Sequence, residues 1–115
     1  MGRTSIDTSL LTFVNVFSCE PANQEKLVCT IQRETEETVR HIPGFVSASI
    51  HRSIDGCRVA NYAQWTGVEA FHDFLESESG TQMMQRVHRY ASALDIHLYE
   101  VCVAYTAASP NGSDG

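Results

Sequence analysis

Apolar and polar residues alternate in four short runs along the chain, with the two-residue period of a β-strand. The first run, residues 11–19, is rich in β-branched and aromatic side chains, which favour strands. Residues 45–53 and 57–65 form two further runs, joined around Asp55-Gly56, where glycine can adopt the positive φ of a tight turn. The last run covers residues 96–105. We therefore predict four strands, the middle two of which form a hairpin.

A long amphipathic helix is predicted between the first two strands. Pro21 and Asn23 are typical of a helix start, and Pro43-Gly44 ends the helical pattern. The face predicted to be buried carries Leu27, Ile31, Thr35, Thr38 and Ile42. Charged residues occupy the other faces, and we expect the acidic run at positions 34–37 to be a solvated helix surface.

Two shorter helices are predicted after the hairpin. Thr66 and Glu69 stand in the T-x-x-E relation of a capping box, so we expect a helix to begin just after Trp65. Residues 76–80 are predicted to break this helix, whose buried residues are predicted to be Val68, Phe71, Phe74 and Leu75. One face of a third helix is marked by Met83, Met84, Val87, Ala91 and Leu94.

The element order β-α-β-β-α-α-β predicts an α+β fold, with an antiparallel sheet that carries helices on one face. A chain of 115 residues has the size of one domain. We assign that domain to residues 11–106 and predict that the polar, Gly- and Pro-containing segments 1–10 and 107–115 are flexible. Strands 45–53 and 96–105 carry apolar groups on both faces, so we expect a homodimer that packs sheet against sheet.

The charge of the chain argues against nucleic acid as a partner. The formal net charge is −6, and only eight Lys and Arg residues are spread along the sequence, whereas binding to phosphate backbones needs clustered basic residues. No apolar run approaches the roughly 20 residues that cross a bilayer, and the first residues lack a secretory signal pattern. We expect a cytoplasmic protein without a membrane partner.

Metal and cofactor motifs are missing from the sequence. The four cysteines form no Cys-x-x-Cys pair and lie in apolar or strand-like stretches, so we expect reduced, structural thiols. The five histidines show no ligand spacing on a predicted helix, which argues against a metal. Glycine-rich phosphate loops, dinucleotide fingerprints and the Gly-x-Ser-x-Gly motif are also missing. We therefore predict no metal and no cofactor.

Two asparagines interrupt apolar rows on predicted strands. Asn15 lies in the row Phe13, Asn15, Phe17, and Asn61 has a similar place in the third strand. Burying an amide without hydrogen bonds costs about 1–3 kcal/mol, so each asparagine either pairs internally or faces a ligand. Trp65 ends the third strand, where sheet and helix diverge and leave a cleft. Its alternative role is that of an ordinary core tryptophan.

The position of His51 depends on the register of the hairpin. A two-residue turn at Asp55-Gly56 places His51 opposite Ala60, away from the face that carries Asn61. A three-residue loop instead places His51 on the face of Asn61 and Trp65. The sequence leaves both registers open.

Three segments resemble the antibiotic biosynthesis monooxygenase (ABM) family: TFVNVF at 12–17, IPGFVSASIHRSIDG at 42–56, and VANYAQW at 59–65 with EAF at 69–71. The resemblance implies a dimeric, ferredoxin-like α/β-barrel with a pocket between sheet and helices in each subunit. It is strongest to the cofactor-independent oxygenases of aromatic polyketide pathways, which convert anthrones or dihydroquinones to quinones with molecular oxygen. The substrate implied is a small aromatic molecule, together with O₂.

The family's site residues can be carried over by position. The first-strand asparagine matches Asn15, the third-strand asparagine matches Asn61 and the tryptophan matches Trp65, and these are our catalytic candidates. By resemblance, the two amides and the indole would donate hydrogen bonds to a substrate anion.

Further positions are implied to bind the substrate. A histidine of some members matches His51, which could accept a proton and favours the inward register. A pocket tyrosine of some members is replaced by Phe71, and a helix arginine matches Arg86 only with a one-residue shift from Gln85. The remaining pocket residues expected from the resemblance are Phe13, Phe74 and Met84.

Two other functions stay open. Haem-degrading oxygenases of the same superfamily use a helix histidine as iron ligand, but the matching position here is Met84, with His88 one turn on, and their tryptophan falls near Phe74. Small dimeric proteins of this fold also bind metabolites or act as accessory, cyclase-like factors without oxygenase activity.

Overall fold

The computed structural model describes residues 6–108, which form a four-stranded antiparallel sheet with three α-helices. The elements in chain order are β1 (Leu11–Ser18), α1 (Gln24–Glu37), β2 (Phe45–Arg52), β3 (Arg58–Trp65), α2 (Val68–Glu76), α3 (Glu78–Val87) and β4 (Ala93–Glu100). Single 3₁₀ turns, Pro21–Asn23 and Val39–His41, flank α1. The predicted order β-α-β-β-α-α-β and the α+β class are confirmed.

The sheet has the strand order β2-β3-β1-β4, so β1 and β3 are its central strands. Alternate residues of these strands, such as Phe13, Phe17, Val59 and Ala63, are buried in the core on one face of the sheet. Buried residues of the three helices belong to the same core. This amphipathic arrangement follows from the two-residue period of strands and the 3.6-residue period of helices.

The opposite face of the sheet carries a short buried polar network. Gln64 Nε2 donates to Thr12 Oγ1 at 3.1 Å and to the Asp7 carbonyl at 3.0 Å, and the Asp7 amide donates to Gln64 Oε1 at 3.1 Å. Thr12 and Gln64 are buried. The segment before β1 is therefore held against the sheet at Asp7, within the stretch predicted to be flexible. Residues 1–5 and 109–115 of the two predicted flexible ends lie outside the described range.

β4 differs from its prediction at both ends. It covers Ala93–Glu100 rather than residues 96–105, because its partner is β1 and the register pairs Ser18 with Ala93 and Leu11 with Glu100. Beyond these pairs β1 offers no further residue to bond. Val101 to Ala108 form no helix or strand, and Leu94, which was predicted to lie on a helix, belongs to β4.

α1 is shorter than predicted and buries a charge. The helix ends at Glu37, and a 3₁₀ turn then buries Val39. Leu27 and Ile31 are buried as predicted, whereas Thr35, Thr38 and Ile42 are only half-buried. The expectation of a fully solvated acidic run is wrong for Glu34, which is buried with Leu27 and Ile31. Glu34 follows them at the spacing i, i+4, i+7, which places all three side chains on one helix face.

The helix starts after the hairpin are also corrected. Gly67 is the N-cap of α2 without a side-chain cap bond, so Thr66 and Glu69 form no capping box. Phe71 and Phe74 are buried, but Val68 is exposed. The break between α2 and α3, predicted at residues 76–80, consists of Ser77 alone. The Ser77 Oγ accepts a hydrogen bond from the Gly80 amide at 3.1 Å and caps α3.

Glycine permits the tight turn between α2 and α3. A Cβ atom at Gly80 would lie 2.1 Å from the Phe74 carbonyl oxygen and 3.0 Å from Leu75 Cα. The α3 helix therefore begins directly on the last turn of α2, as only a residue without a side chain allows.

The four cysteines are free thiols, but only Cys19 is buried. Burial raises the pKa of the Cys19 thiol. Cys29, Cys57 and Cys102 are exposed, so of the four thiols predicted to be reduced and structural only Cys19 belongs to the core. Among residues 6–108, no cluster of three His, Cys, Asp or Glu side chains could hold a metal ion. Over the same range, no helix is long and apolar enough to cross a membrane.

Candidate active site

Asn15 and Asn61 are direct partners across the two central strands. The register of β1 and β3 pairs Asn15 with Asn61, and both residues are buried on the face that carries the helices. The Oδ1 atom of each side chain is buried without a hydrogen-bond partner. Two adjacent unpaired carbonyl groups are costly in an apolar surrounding, and they indicate a site for a ligand or for ordered water.

Trp65 lies on the same face as the two asparagines, four residues beyond Asn61 at the end of β3. Its ring is buried and stacks on Phe74, with centroids 5.9 Å apart and an angle of 28° between the planes. Phe71 and Phe45 meet the indole edge-on, at 5.7 Å and 5.6 Å. Aromatic contacts of this kind hold the indole in one orientation.

A cavity between the sheet and the helices is lined by both asparagines and by the tryptophan. Its volume is about 40 Å³ when counted as room for the centre of a water-sized sphere, which is enough for a few water molecules. The lining is apolar apart from Asn15, Asn61 and Thr35, and the remaining members are Phe13, Val39, Phe45, Ala48, Ala63, Trp65, Phe71, Phe74, Leu75, Met83, Met84 and Ile96. The structure thus places seven of the nine sequence-derived site residues around one cavity: Phe13, Asn15, Asn61, Trp65, Phe71, Phe74 and Met84.

A β-bulge in β2 adds two residues that sequence reasoning missed. Phe45 pairs with Trp65, and Ser47 pairs with Gln64, so Val46 is the extra residue. Strict alternation would turn Phe45 and Ala48 to opposite faces, but the bulge lets both of them line the cavity. No local sequence signal marks the bulge.

His51 lies on the other face of the sheet. It pairs with Ala60, as in the register of the two-residue turn, although the loop between Ser53 and Arg58 is longer than two residues. The side chain is exposed and its Nε2 lies 2.8 Å from Ser49 Oγ. The inward register favoured by the family resemblance is therefore wrong, and His51 does not line the cavity.

Arg86 does not line the cavity either. Its Nη1 donates to Glu34 Oε2 at 2.8 Å, which joins α3 to α1. The Glu34 side chain is 8% exposed and that of Arg86 is 48% exposed. Sequence reasoning treated Glu34 as a surface residue, although its spacing from Ile31 marked it as a member of the buried helix face.

The lining residues include no ionisable side chain. A proton that leaves a bound molecule must therefore pass to water or to a group beyond the cavity wall. His88, the helix histidine of the haem-degrading alternative, is exposed, and its Nδ1 lies 2.8 Å from the Met84 carbonyl oxygen. The iron ligand that this alternative requires is thus not at the cavity.

Comparisons with known proteins show which family the chain belongs to. No protein-family model matches the chain. The chain is, however, 37% identical over 113 residues to tetracenomycin-F1 monooxygenase from Streptomyces glaucescens, covering 98% of this chain and 100% of the relative. The chain belongs to the antibiotic biosynthesis monooxygenase family. It is a monooxygenase, as the sequence predicted.

Solved structures of this family share the fold. The monooxygenase of the gene ActVA-Orf6 from Streptomyces coelicolor, in complex with nanaomycin D, matches with a TM-score of 0.79 and 26% identity over 88% of this chain and 95% of that one. SnoaB from Streptomyces nogalater, a cofactor-independent oxygenase, matches with a TM-score of 0.66 and 24% identity over 86% and 96% of the two chains. The ferredoxin-like fold of the family is therefore confirmed for this ABM protein.

Proposed function

We propose that this ABM protein oxidises an aromatic polyketide of the anthrone or dihydroquinone type to a quinone, with molecular oxygen and without a bound cofactor. The observation that carries the proposal is the pair of unpaired, buried amide oxygens of Asn15 and Asn61 beside Trp65 in an apolar cavity. Tetracenomycin-F1 monooxygenase and SnoaB support the substrate class and the cofactor-free reaction, respectively.

The side chains that line the cavity have the chemistry of a site for a flat, oxidisable ring. Its walls carry five aromatic side chains, namely Phe13, Phe45, Trp65, Phe71 and Phe74. Aromatic and aliphatic walls bind fused rings through apolar contact and stacking. The few polar atoms are concentrated on Asn15 and Asn61, so they orient a ring that carries a hydroxyl or carbonyl oxygen.

The proposed reaction balances without an added reductant. An anthrone CH₂ group and O₂ yield the quinone C=O group and one molecule of water. Loss of a proton gives the electron-rich anion, which passes one electron to O₂. The resulting radical and superoxide then combine at carbon, and the peroxide loses water to leave the carbonyl. The substrate therefore supplies all the electrons that reduce oxygen.

Asn15, Asn61 and Trp65 are the proposed catalytic residues. The amide oxygens accept a hydrogen bond from a neutral phenol, and rotation of an amide group presents its NH₂ group to the oxygen of the anion. The Trp65 indole N–H is a further donor. Donors that are held in a site of low dielectric constant, whether already oriented or brought round by this rotation, favour the anion. The apolar walls of Phe13, Phe71, Phe74 and Met84 exclude water from the radical and peroxide stages.

The proton is proposed to leave through water, because no ionisable side chain lines the cavity. His51 therefore has no part in the proposal as a base within its own subunit. Arg86 is also removed from direct substrate contact, since its guanidinium binds Glu34.

A homodimer and a cytoplasmic location also belong to the proposal. On the uncovered sheet face, a groove is lined by apolar or aromatic residues that include Ile6, Val14, Tyr62 and Tyr99. Tyr99 is 49% exposed, and a second copy would remove its ring from water. The outer face of β2 is instead polar, with Ser47, Ser49 and His51, so the apolar patch centres on β1 and β4.

The test is a reaction of purified, flavin-free protein with an anthrone under nitrogen, followed by addition of ¹⁸O₂. We expect quinone formation faster than the spontaneous oxidation, with one labelled oxygen in the quinone and one in water. Trp65→Phe should slow turnover while the protein stays folded. Tyr105→Phe, which alters an exposed aromatic residue away from the cavity, is the matched control. A rate equal to that of the protein-free solution would refute the proposal.

A further inference from the structure

The cavity is too narrow for the ring systems proposed to enter it. Room for a few water molecules does not accommodate three or four fused rings. Part of the wall must therefore move before a substrate binds. The sheet side is held by the pairing of β1, β3 and β2, which is interrupted at the Val46 bulge, so we take the helices as the part that shifts.

α2 and α3 supply one side of the wall, through Phe71, Phe74, Leu75, Met83 and Met84. Methionine side chains are flexible and adapt to different shapes. α1 supplies the neighbouring side, through Thr35, and Val39 follows it. The width of the cavity therefore depends on the distance between α3 and α1.

The Glu34–Arg86 ion pair joins these two helices close in sequence to residues that line the cavity. Glu34 directly precedes Thr35, and Arg86 lies two and three residues after Met84 and Met83. Salt bridges between residues 6–108 elsewhere join exposed side chains, whereas Glu34 is buried. A buried carboxylate adds little net stability when paired, but it strongly disfavours arrangements that separate it from its partner. The pair therefore specifies one position of α3.

We propose that Glu34 and Arg86 are positioning residues that set the width of the cavity and thereby select substrates by the number of fused rings. This inference rests on the proposed function for the kind of molecule that binds. Neither residue touches the substrate, and both act through the placement of Met83 and Met84.

Trp65 provides a direct measurement, because it is the only tryptophan of the chain and lines the cavity. Hydroxylated naphthoquinone, anthraquinone and tetracenequinone, with two, three and four fused rings, should quench its fluorescence on binding. Stopped-flow mixing gives the association rate of each probe. The variants are Glu34→Gln, Arg86→Met and the reversed pair Glu34→Arg with Arg86→Glu. Glu37→Gln and Arg89→Met, at exposed positions on or near the same helices, are matched controls.

We expect wild-type association to slow as the ring number rises. Each single variant should speed association of the four-ring probe by about five-fold, because that is the effect of losing a partly exposed ion pair. The association rate of the two-ring probe should change little. The reversed pair should restore the wild-type dependence on ring number, and it serves as the test if a single variant fails to fold. An unchanged dependence on ring number in the single variants would overturn the inference. Equal acceleration of all three probes, the same effect in the controls, or no quenching by any probe would also overturn it.

The result is separable from that of the oxidation assay. Binding with the expected ring dependence but without quinone formation would contradict the proposed function and leave the role of the ion pair intact. Quinone formation by the wild-type protein, with an unaltered dependence on ring number in the variants, would support the proposed function and contradict the role of the ion pair.

Discussion

Asn15 and Asn61 face each other across β1 and β3, and the buried Oδ1 atom of each lacks a hydrogen-bond partner. Side chains at such cross-strand positions lie about 5 Å apart at Cβ, so one ligand can contact both amides. An arrangement that costs folding free energy and supplies two polar atoms to an apolar cavity is typical of a functional site.

Replacement of Asn61 by alanine should lower the activity but leave the stability of the fold nearly unchanged. Asn61→Ala is expected to lower kcat by about 10- to 100-fold, as loss of one hydrogen bond to developing charge would. The free energy of unfolding should change by less than about 1 kcal/mol, because an unpaired buried amide oxygen is removed along with the packing of the side chain. Turnover and urea unfolding are the two measurements. Asn23→Ala, at a half-buried site outside the cavity, is the control, and a folded Asn61→Ala protein with full activity would contradict the prediction.

Loss of the His51 imidazole should not affect oxidation. His51→Asn is expected to retain the wild-type rate and the wild-type pH dependence, because the side chain projects from the opposite face of the sheet. The rate should instead rise with pH as the phenol of the substrate ionises. A pH–rate profile of both proteins with one anthrone provides the measurement. A large fall in rate for His51→Asn, or the loss of one limb of its profile, would show that the histidine takes part.

The turn between α2 and α3 should not tolerate a side chain at Gly80. Gly80→Ala places a Cβ 2.1 Å from the Phe74 carbonyl oxygen, so α3 must shift, at a cost of about 1–3 kcal/mol of unfolding free energy. Gly67→Ala is the matched control, because no atom lies within 4 Å of the added Cβ and its φ of −175° suits any residue. Chemical denaturation compares the two variants. Equal stability of both would contradict the close packing of α3 on α2.

The hairpin loop should contribute to pH-dependent stability. The Ser53 hydroxyl, which donates to Asp55 Oδ1 at 2.7 Å, is the largest cause that lowers the Asp55 pKa, and the Cys57 amide adds to it. A lowered folded-state pKa means that this stabilisation is present above the pKa of the unfolded chain and is lost as pH falls through the folded-state value. Ser53→Ala should raise the Asp55 pKa toward its ordinary value, as an NMR titration would show. Ser9→Ala, which should act on Asp7 alone, controls for general effects of losing a serine.

Local patterns located most elements but not their ends. The hairpin around Asp55-Gly56 was predicted from one dipeptide, and Gly56 has the expected positive φ of 83°. β4 was predicted to reach residue 105, yet its length is that of β1, because a strand ends where its neighbour offers no more hydrogen bonds. Sequence periodicity records which residues are apolar, but not which strand will be the partner.

The same distinction holds for the site. Asn15 and Asn61 could be identified from the sequence because a buried amide needs hydrogen-bond partners. Strand alternation placed Asn61 and Trp65 on one face. The bulge at Val46 and the burial of Glu34 depend on contacts between segments that are distant in sequence. His51 matched a family position but lies on the outer face, since a shift of one residue in register reverses a strand's faces.

The α+β class, the order of the elements and the rows that carry the two asparagines and the tryptophan could be read from the amino-acid sequence, because they follow from periods within single segments. The hairpin register, the strand ends, the closure of the cavity and the Glu34–Arg86 pair became visible only in the folded chain. Each of these features depends on contacts between segments that are distant in sequence. The free energy of such contacts is not determined by the local pattern of apolar and polar residues.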